Sequence, residues 1–271
     1  MSEREWLEGT KTWFMLPHIP QPASERKLRL FACACVRRVW HVWHLLPDER
    51  SRGAVEVAER FADGLADEGE LEAAHAAAPF LDPPPPDAED ATAAEIAASA
   101  RSSALALATV AASHAATQRR PLSFPFRREF LIGAANEVAT CAAHARGWAA
   151  AGAVTGADGS PQVGAIAEAQ DEAYWEEVRC QCGLLRCIFG NPFRPIAFDP
   201  AWCMPKVTAL ASAAYEERSL PAGILDTQRL AVLADAMEDA GCADTEMLSH
   251  LRGPGPHVRG CWVLDLLLGK E

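Results

Sequence analysis

Apolar residues recur along this chain at three- and four-residue steps, the period of helices that bury one face. The first clear stripe is Leu28, Phe31, Cys35, Val39, Val42 and Leu46, behind Ser24 as a natural N-cap. Pro47-Asp48 stops that helix and starts another, with Ala54, Val55, Ala58, Phe61 and Leu65 as its stripe and Gly64 at its end. Asp67 and Glu70 stand at capping-box spacing and open a short helix to about Ala78.

Pro79 to Asp90 breaks the pattern. Pro83 to Pro86 lack amide donors and cannot continue a helix, so the segment is expected to be an extended spacer. Thr92 and Glu95 then begin an Ala-rich helix to about Thr117, and another spans about Arg127 to Ala151. After a Gly-rich loop, a long helix runs from Val163 to Phe189, closed by Gly190 and Asn191-Pro192. Asp199-Pro200 is a helix start and Pro205 a restart, leading to a helix that ends near Glu217. Asp226 caps a helix to Ala240, and short helices near Thr245–Leu251 and His257–Leu268 finish the chain. The pattern predicts an all-α protein, an irregular bundle of about 8–10 helices with no sheet. Its sections are 1–78, a Pro-rich linker 79–90, an Ala-rich middle 91–162, and 163–271. Helices this short need a shared core to be stable.

Composition supports the same class. Of the 271 residues 49% are apolar, many of them alanine, and only two are Tyr; alanine favours helix over strand. The net charge of −12 argues against a general nucleic-acid coat and against anionic membranes. That charge is uneven, because residues 1–60 carry a balance of +2. No apolar run is long enough for a membrane span. Nine cysteines, an odd number, sit mostly within helical patterns behind a charged N-terminus. They are expected to be reduced thiols in a cytoplasmic protein.

Several constellations offer chemistry. His41 and His44 stand one helical turn apart and are candidate metal ligands, but no third ligand lies within reach on their helix. Cys180, Cys182 and Cys187 are a second candidate set. Their spacing lacks the turn that wraps zinc, and residues 180 and 182 point roughly 200° apart on a helix. Cys182 falls on the apolar stripe of Tyr174, Val178, Leu185 and Phe189, which favours a core role. His257, Cys261 and Asp265 would form a ladder on the last helix, a poor triad because the acid would lie beyond the thiol. Asp235, Glu238 and Asp239 read as the solvated face of an amphipathic helix. Arg26, Lys27, Arg29, Arg37, Arg38, Arg50 and Arg52, with Trp40 and Trp43, form a basic and aromatic group suited to an acidic partner.

The stretches Leu184–Pro195, Asp199–Trp202, Leu233–Cys242 and His257–Glu271 resemble a large family of all-helical planctomycete proteins with no assigned activity. Arg26–Cys35 and Asp48–Arg52 are similar to the opening of the same family, and Leu233–Gly241 is loosely similar to a helical motif of planctomycete repeat-companion proteins. Cys180 and Cys187 stand where the family typically has other residues, and Trp40–His44 looks like a local insertion. The resemblance implies a bacterial helical fold and transfers no cofactor or catalytic residue.

Together these features favour a non-enzymatic cytoplasmic interaction or scaffold protein with an unknown protein partner and no cofactor. The interaction candidates are Arg37, Arg38, Trp40, Trp43, Arg194, His257 and Arg259, the last two and Arg194 being polar residues that helix stops and starts do not explain. The alternatives are a metal-dependent or thiol enzyme or sensor built on the histidines and cysteines, and a nucleic-acid-associated regulator using the N-terminal arginines.

Overall fold

Helix signals in the sequence are realised where they combine a cap with an apolar stripe. A computed structural model describes residues 1–19, 24–43, 49–78, 127–151, 153–154 and 163–270. Among them are eleven α-helices and no strand: α1 (Glu3–Glu8), α2 (Thr12–Met15), α3 (Glu25–Trp43), α4 (Glu49–Ala62), α5 (Glu68–Ala77), α6 (Arg127–Ala151), α7 (Val163–Phe189), α8 (Pro205–Glu216), α9 (Thr227–Asp239), α10 (Thr245–Arg252) and α11 (Trp262–Leu268). Two 3₁₀ turns, Leu16–His18 and Pro200–Trp202, complete them. The Pro-rich linker and the Ala-rich helix expected near 92–117 lie outside the described residues.

The caps work as the side chains suggest. Asp67 accepts from the Glu70 amide while Glu70 reaches back to the Asp67 amide, and Asp226 accepts from the amides of Gln228 and Arg229. Each cap satisfies amides that a helix start leaves without partners. Two short N-terminal helices were not expected. α1 carries its own capping box, Ser2 with Glu5, and buries Trp6 completely.

α3 is the central element. Leu28, Leu30–Val36 and Val39 are buried around nearly its whole circumference, which a helix tolerates only when others surround it. It packs against α4, α6 and α7. α6 presents the small buried side chains Ala135, Ala139, Ala142, Ala143 and Ala145, which allow α7 to lie close against it. α8–α11 pack as a second layer joined to α7 through α11. A single apolar cluster runs from Trp6 to Leu267, so the described sections share one core.

Charge is also buried. Glu59 (3% exposed) accepts from Arg37 at 2.6 and 2.9 Å and from Arg218 at 2.9 and 2.6 Å. Burial works to raise its pKa, but the two guanidiniums outweigh that and hold it below the usual carboxylate value. Arg26 binds Asp265 through two bonds of 2.7 and 3.0 Å and also reaches Asp63 and the Tyr215 hydroxyl. Arg38 meets the fully buried Glu177 at 2.9 and 3.1 Å. The N-terminal basic group is thus largely spent inside the fold.

One expectation is corrected. The last helix begins at Trp262, not His257. Gly255 and Gly260 both hold φ of +87°, in the left-handed region that breaks a helix. At Gly260 an added Cβ would also lie 2.9 Å from Leu30 Cδ1, so only glycine fits the turn. His257 therefore sits in a loop, and the ladder of His257, Cys261 and Asp265 does not form.

Candidate metal centre

Removing His257 from the helix gives it different neighbours. Cys187, His250, His257 and Cys261 come together so that their ligand atoms all lie within 4.8 Å of one another. Cys187 is in the last turn of α7, which Gly190 ends with φ +66°. The Trp262 ring lies where a side chain at 190 would go, 3.2 Å from an added Cβ. His250 is on α10, a helix started by Asp244 accepting from the amides of Glu246 and Met247. Its buried stripe of Met247, Leu248 and Leu251 turns His250 towards the cluster from the rim.

His257 and Cys261 come from the loop between α10 and α11. The loop is pinned by the Leu225 amide donating to the His257 carbonyl at 2.9 Å and by the Cys261 amide donating to the Val258 carbonyl at 3.0 Å. Cys261 then takes the N-cap position of α11. Cys187, His257 and Cys261 are buried and His250 is half-buried.

The polar atoms are arranged for a ligand. His257 is 1% exposed, and its Nε2–H donates to the Gly253 carbonyl at 3.1 Å. That leaves Nδ1 as the lone-pair nitrogen, buried and without a hydrogen bond of good geometry, with the Cys261 sulfur in the same group acting on the ring. A metal-binding histidine is commonly held this way, with the second nitrogen donating to a carbonyl. His250 Nε2 lies 3.3 Å from Cys261 Sγ, and the two imidazoles meet edge to face with centroids 4.8 Å apart.

Electrostatics divides the two thiols. Cys187 is pushed well above the ordinary thiol value by burial and by the adjacent Cys261 sulfur. Burial acts on Cys261 as well, but the Cys187 thiol and the imidazoles of His250 and His257 outweigh it and hold Cys261 well below that value. Burial favours the neutral form of His257, while Cys261 and the Gly253 carbonyl more than offset it and raise its pKa.

Two thiols and two imidazoles are the donor set of tetrahedral zinc centres. With bonds of about 2.0–2.3 Å, tetrahedral ligand atoms sit roughly 3.3–3.8 Å apart. A small inward rotation of the side chains from the present spacing meets that requirement. All four positions are filled by protein, which is the closed form characteristic of structural zinc and leaves no site for substrate.

The other predicted residues are scattered. Cys182 is core, and Cys180 is half-buried. The His41 side chain and all of His44 lie outside the described residues, as does the Trp43 side chain. Of the interaction candidates, Arg37 is buried against Glu59, and Arg38 is paired with Glu177. Trp40 is half-buried, with the guanidinium carbons of Arg37 and Arg52 5.3 and 5.7 Å from its ring centre. Arg194 is exposed and pairs with Glu3. Arg259 is buried beside Glu216, at 3.1 Å, and lies over the Tyr215 ring. Asp235 and Glu238 face solvent and pair with Arg252.

Sequence reasoning missed His250. Its signal was present as His250-x₆-His257-x₃-Cys261, spanning the glycines and prolines at 253–256. The fourth ligand comes from another helix, more than sixty residues earlier. An exposed aromatic face was also missed: Phe14 (57% exposed) and Trp175 (36%) flank Trp13, with Lys11 5.7–5.9 Å from all three ring centres. No helix among the described residues is long and apolar enough to cross a membrane. Comparisons with protein-family models, curated proteins and solved structures returned no match.

Proposed function

We propose that this chain is a zinc-binding helical protein whose metal has a structural, non-enzymatic role. The observation that carries the proposal is the buried Nδ1 of His257, without a hydrogen bond of good geometry and oriented by Gly253 within a group of two thiols and a second imidazole. An unsatisfied buried nitrogen costs about 1–3 kcal/mol, and a bound cation removes that cost. The closed donor set favours a structural role over catalysis. Thiolate ligands require reduced cysteines, consistent with a cytoplasmic protein.

On this reading zinc fixes the end of α7 to the C-terminal layer, and the protein acts as a scaffold for a protein partner. The exposed face of Trp13, Phe14 and Trp175 under Lys11 favours that role, since rigid aromatic side chains are common anchors in interfaces.

Elemental analysis after zinc loading should find one equivalent per chain. Cobalt substitution should give the visible and near-ultraviolet bands of a tetrahedral dithiolate site. The double variant His257→Ala/Cys261→Ser should bind less than a tenth of that zinc. Absence of metal in the loaded wild type, or equal metal in the double variant, overturns the proposal.

A further inference from the structure

The two sulfurs of the centre are neighbours in space and remote in sequence. Cys187 ends a long, rigid helix, whereas Cys261 follows a glycine turn in a loop. Their Sγ atoms are no more than 4.8 Å apart, so a modest shift of the loop brings them to bonding distance. His250 is the half-buried ligand and stands 3.3 Å from Cys261 Sγ, while Cys187 (2% exposed) and Cys261 (0%) are both buried.

We propose, resting on the zinc reading above, that Cys187 and Cys261 form a redox-sensitive pair: a small peroxide oxidises them to one disulfide and expels the zinc. The Cys261 thiolate attacks one peroxide oxygen. The O–O bond breaks, the departing hydroxide takes a proton, and Cys261 becomes a sulfenic acid. The Cys187 thiolate then attacks that sulfur, forming the S–S bond and displacing hydroxide, which is protonated to a second water. Two electrons pass from the sulfurs to hydrogen peroxide, and two protons are consumed. The zinc retains only two imidazoles, and two-histidine coordination does not hold it against water. A thiol reductant and fresh zinc restore the centre.

Burial sets two of the other cysteines apart. Burial pushes the Cys33 thiol up to about 12 and the Cys182 thiol up to about 11. Both stay protonated near neutral pH, and the thiolate is the form that attacks peroxide. Zinc keeps its two ligand sulfurs in the thiolate form.

The test uses the full zinc-loaded chain, hydrogen peroxide, a chromogenic zinc indicator and peptide mapping. Expected are release of one zinc per chain, loss of two thiols, and a Cys187–Cys261 cross-linked peptide, all reversed by reductant and zinc. Cys187→Asp replaces one ligand with a carboxylate and removes the partner thiol, so its zinc should leave at least tenfold more slowly. Zinc retained in the wild type, zinc lost without the Cys187–Cys261 link, or a Cys187→Asp variant that releases zinc as fast as wild type each overturns the proposal. If Cys187→Asp does not fold, the wild-type peptide map alone decides. A chain that holds no zinc before peroxide overturns the metal reading and this proposal together; a chain that keeps its zinc overturns this proposal alone.

Discussion

Stripping the metal should weaken the fold by an amount set by free zinc. An ion that binds the folded state alone adds RT ln(1 + [L]/Kd), so zinc held a thousandfold above its dissociation constant contributes about 4.1 kcal/mol. In a chain of this length each kcal/mol moves the melting midpoint by roughly 2–4 °C. The midpoint should therefore rise by roughly 8–16 °C between chelated and zinc-saturated protein. Part of that difference is visible in the structure, since the His257 Nδ1, without a hydrogen bond of good geometry, costs about 1–3 kcal/mol without a cation. The gain should be local. Hydrogen exchange should slow at 245–252 and 258–266, the segments that carry His250 and Cys261, and change least in α4 and α5. Circular dichroism melts in zinc-buffered solutions measure the effect, with stability rising by about 1.4 kcal/mol per tenfold increase in free zinc above Kd. A midpoint that does not depend on free zinc refutes the reasoning.

Two further outcomes follow from buried groups. Glu59→Gln keeps the shape but leaves Arg37 and Arg218 without a counter-charge, so stability at pH 7 should fall by about 3–5 kcal/mol in denaturant titration. Because the folded pKa of Glu59 is lowered, its contribution is present above the unfolded carboxylate value of about 4.3 and is lost as pH falls through the folded value. The variant should accordingly show a flatter acid limb, and an unchanged limb would count against the pairing. Gly260→Ala forces a side chain into φ +87° and against Leu30, so it should cost about 1–3 kcal/mol and weaken zinc binding in a chelator competition by displacing Cys261.

Most of the helices were legible because their signals are local. Asp67 with Glu70, Asp226, and Gly190 after Phe189 each act on amides or carbonyls within a few residues. The end of the chain was misread because Cys261–Leu268 continues a helical pattern backwards to His257. The two glycines at positive φ, visible as letters but not as angles, stop it. The centre was only half legible for a related reason. Cys187, His257 and Cys261 each drew notice, but in separate groupings, and no spacing rule joins a residue in the last turn of α7 to a loop seventy residues on. The arginines misled in the opposite direction. A run of basic residues with Trp looks like a surface, yet Glu59, Asp63, Glu177 and Asp265 come from other parts of the fold to neutralise it.

The end of α7 also has a bearing on the order in which the chain is made. Trp6 donates its indole N–H to the Gly190 carbonyl, and Arg186 donates to the carbonyls of Trp6 and Gly9, so residues made far earlier close over this helix end. Trp262, made well after Gly190, packs where a side chain at 190 would lie. On a ribosome α1 therefore emerges long before its seat exists, and Cys261 and α11 are not yet made when the last residue of α7 is added. Gathering all four candidate ligands waits until Cys261 has emerged, and a nascent chain that has not reached Arg186 and Gly190 carries α1 undocked.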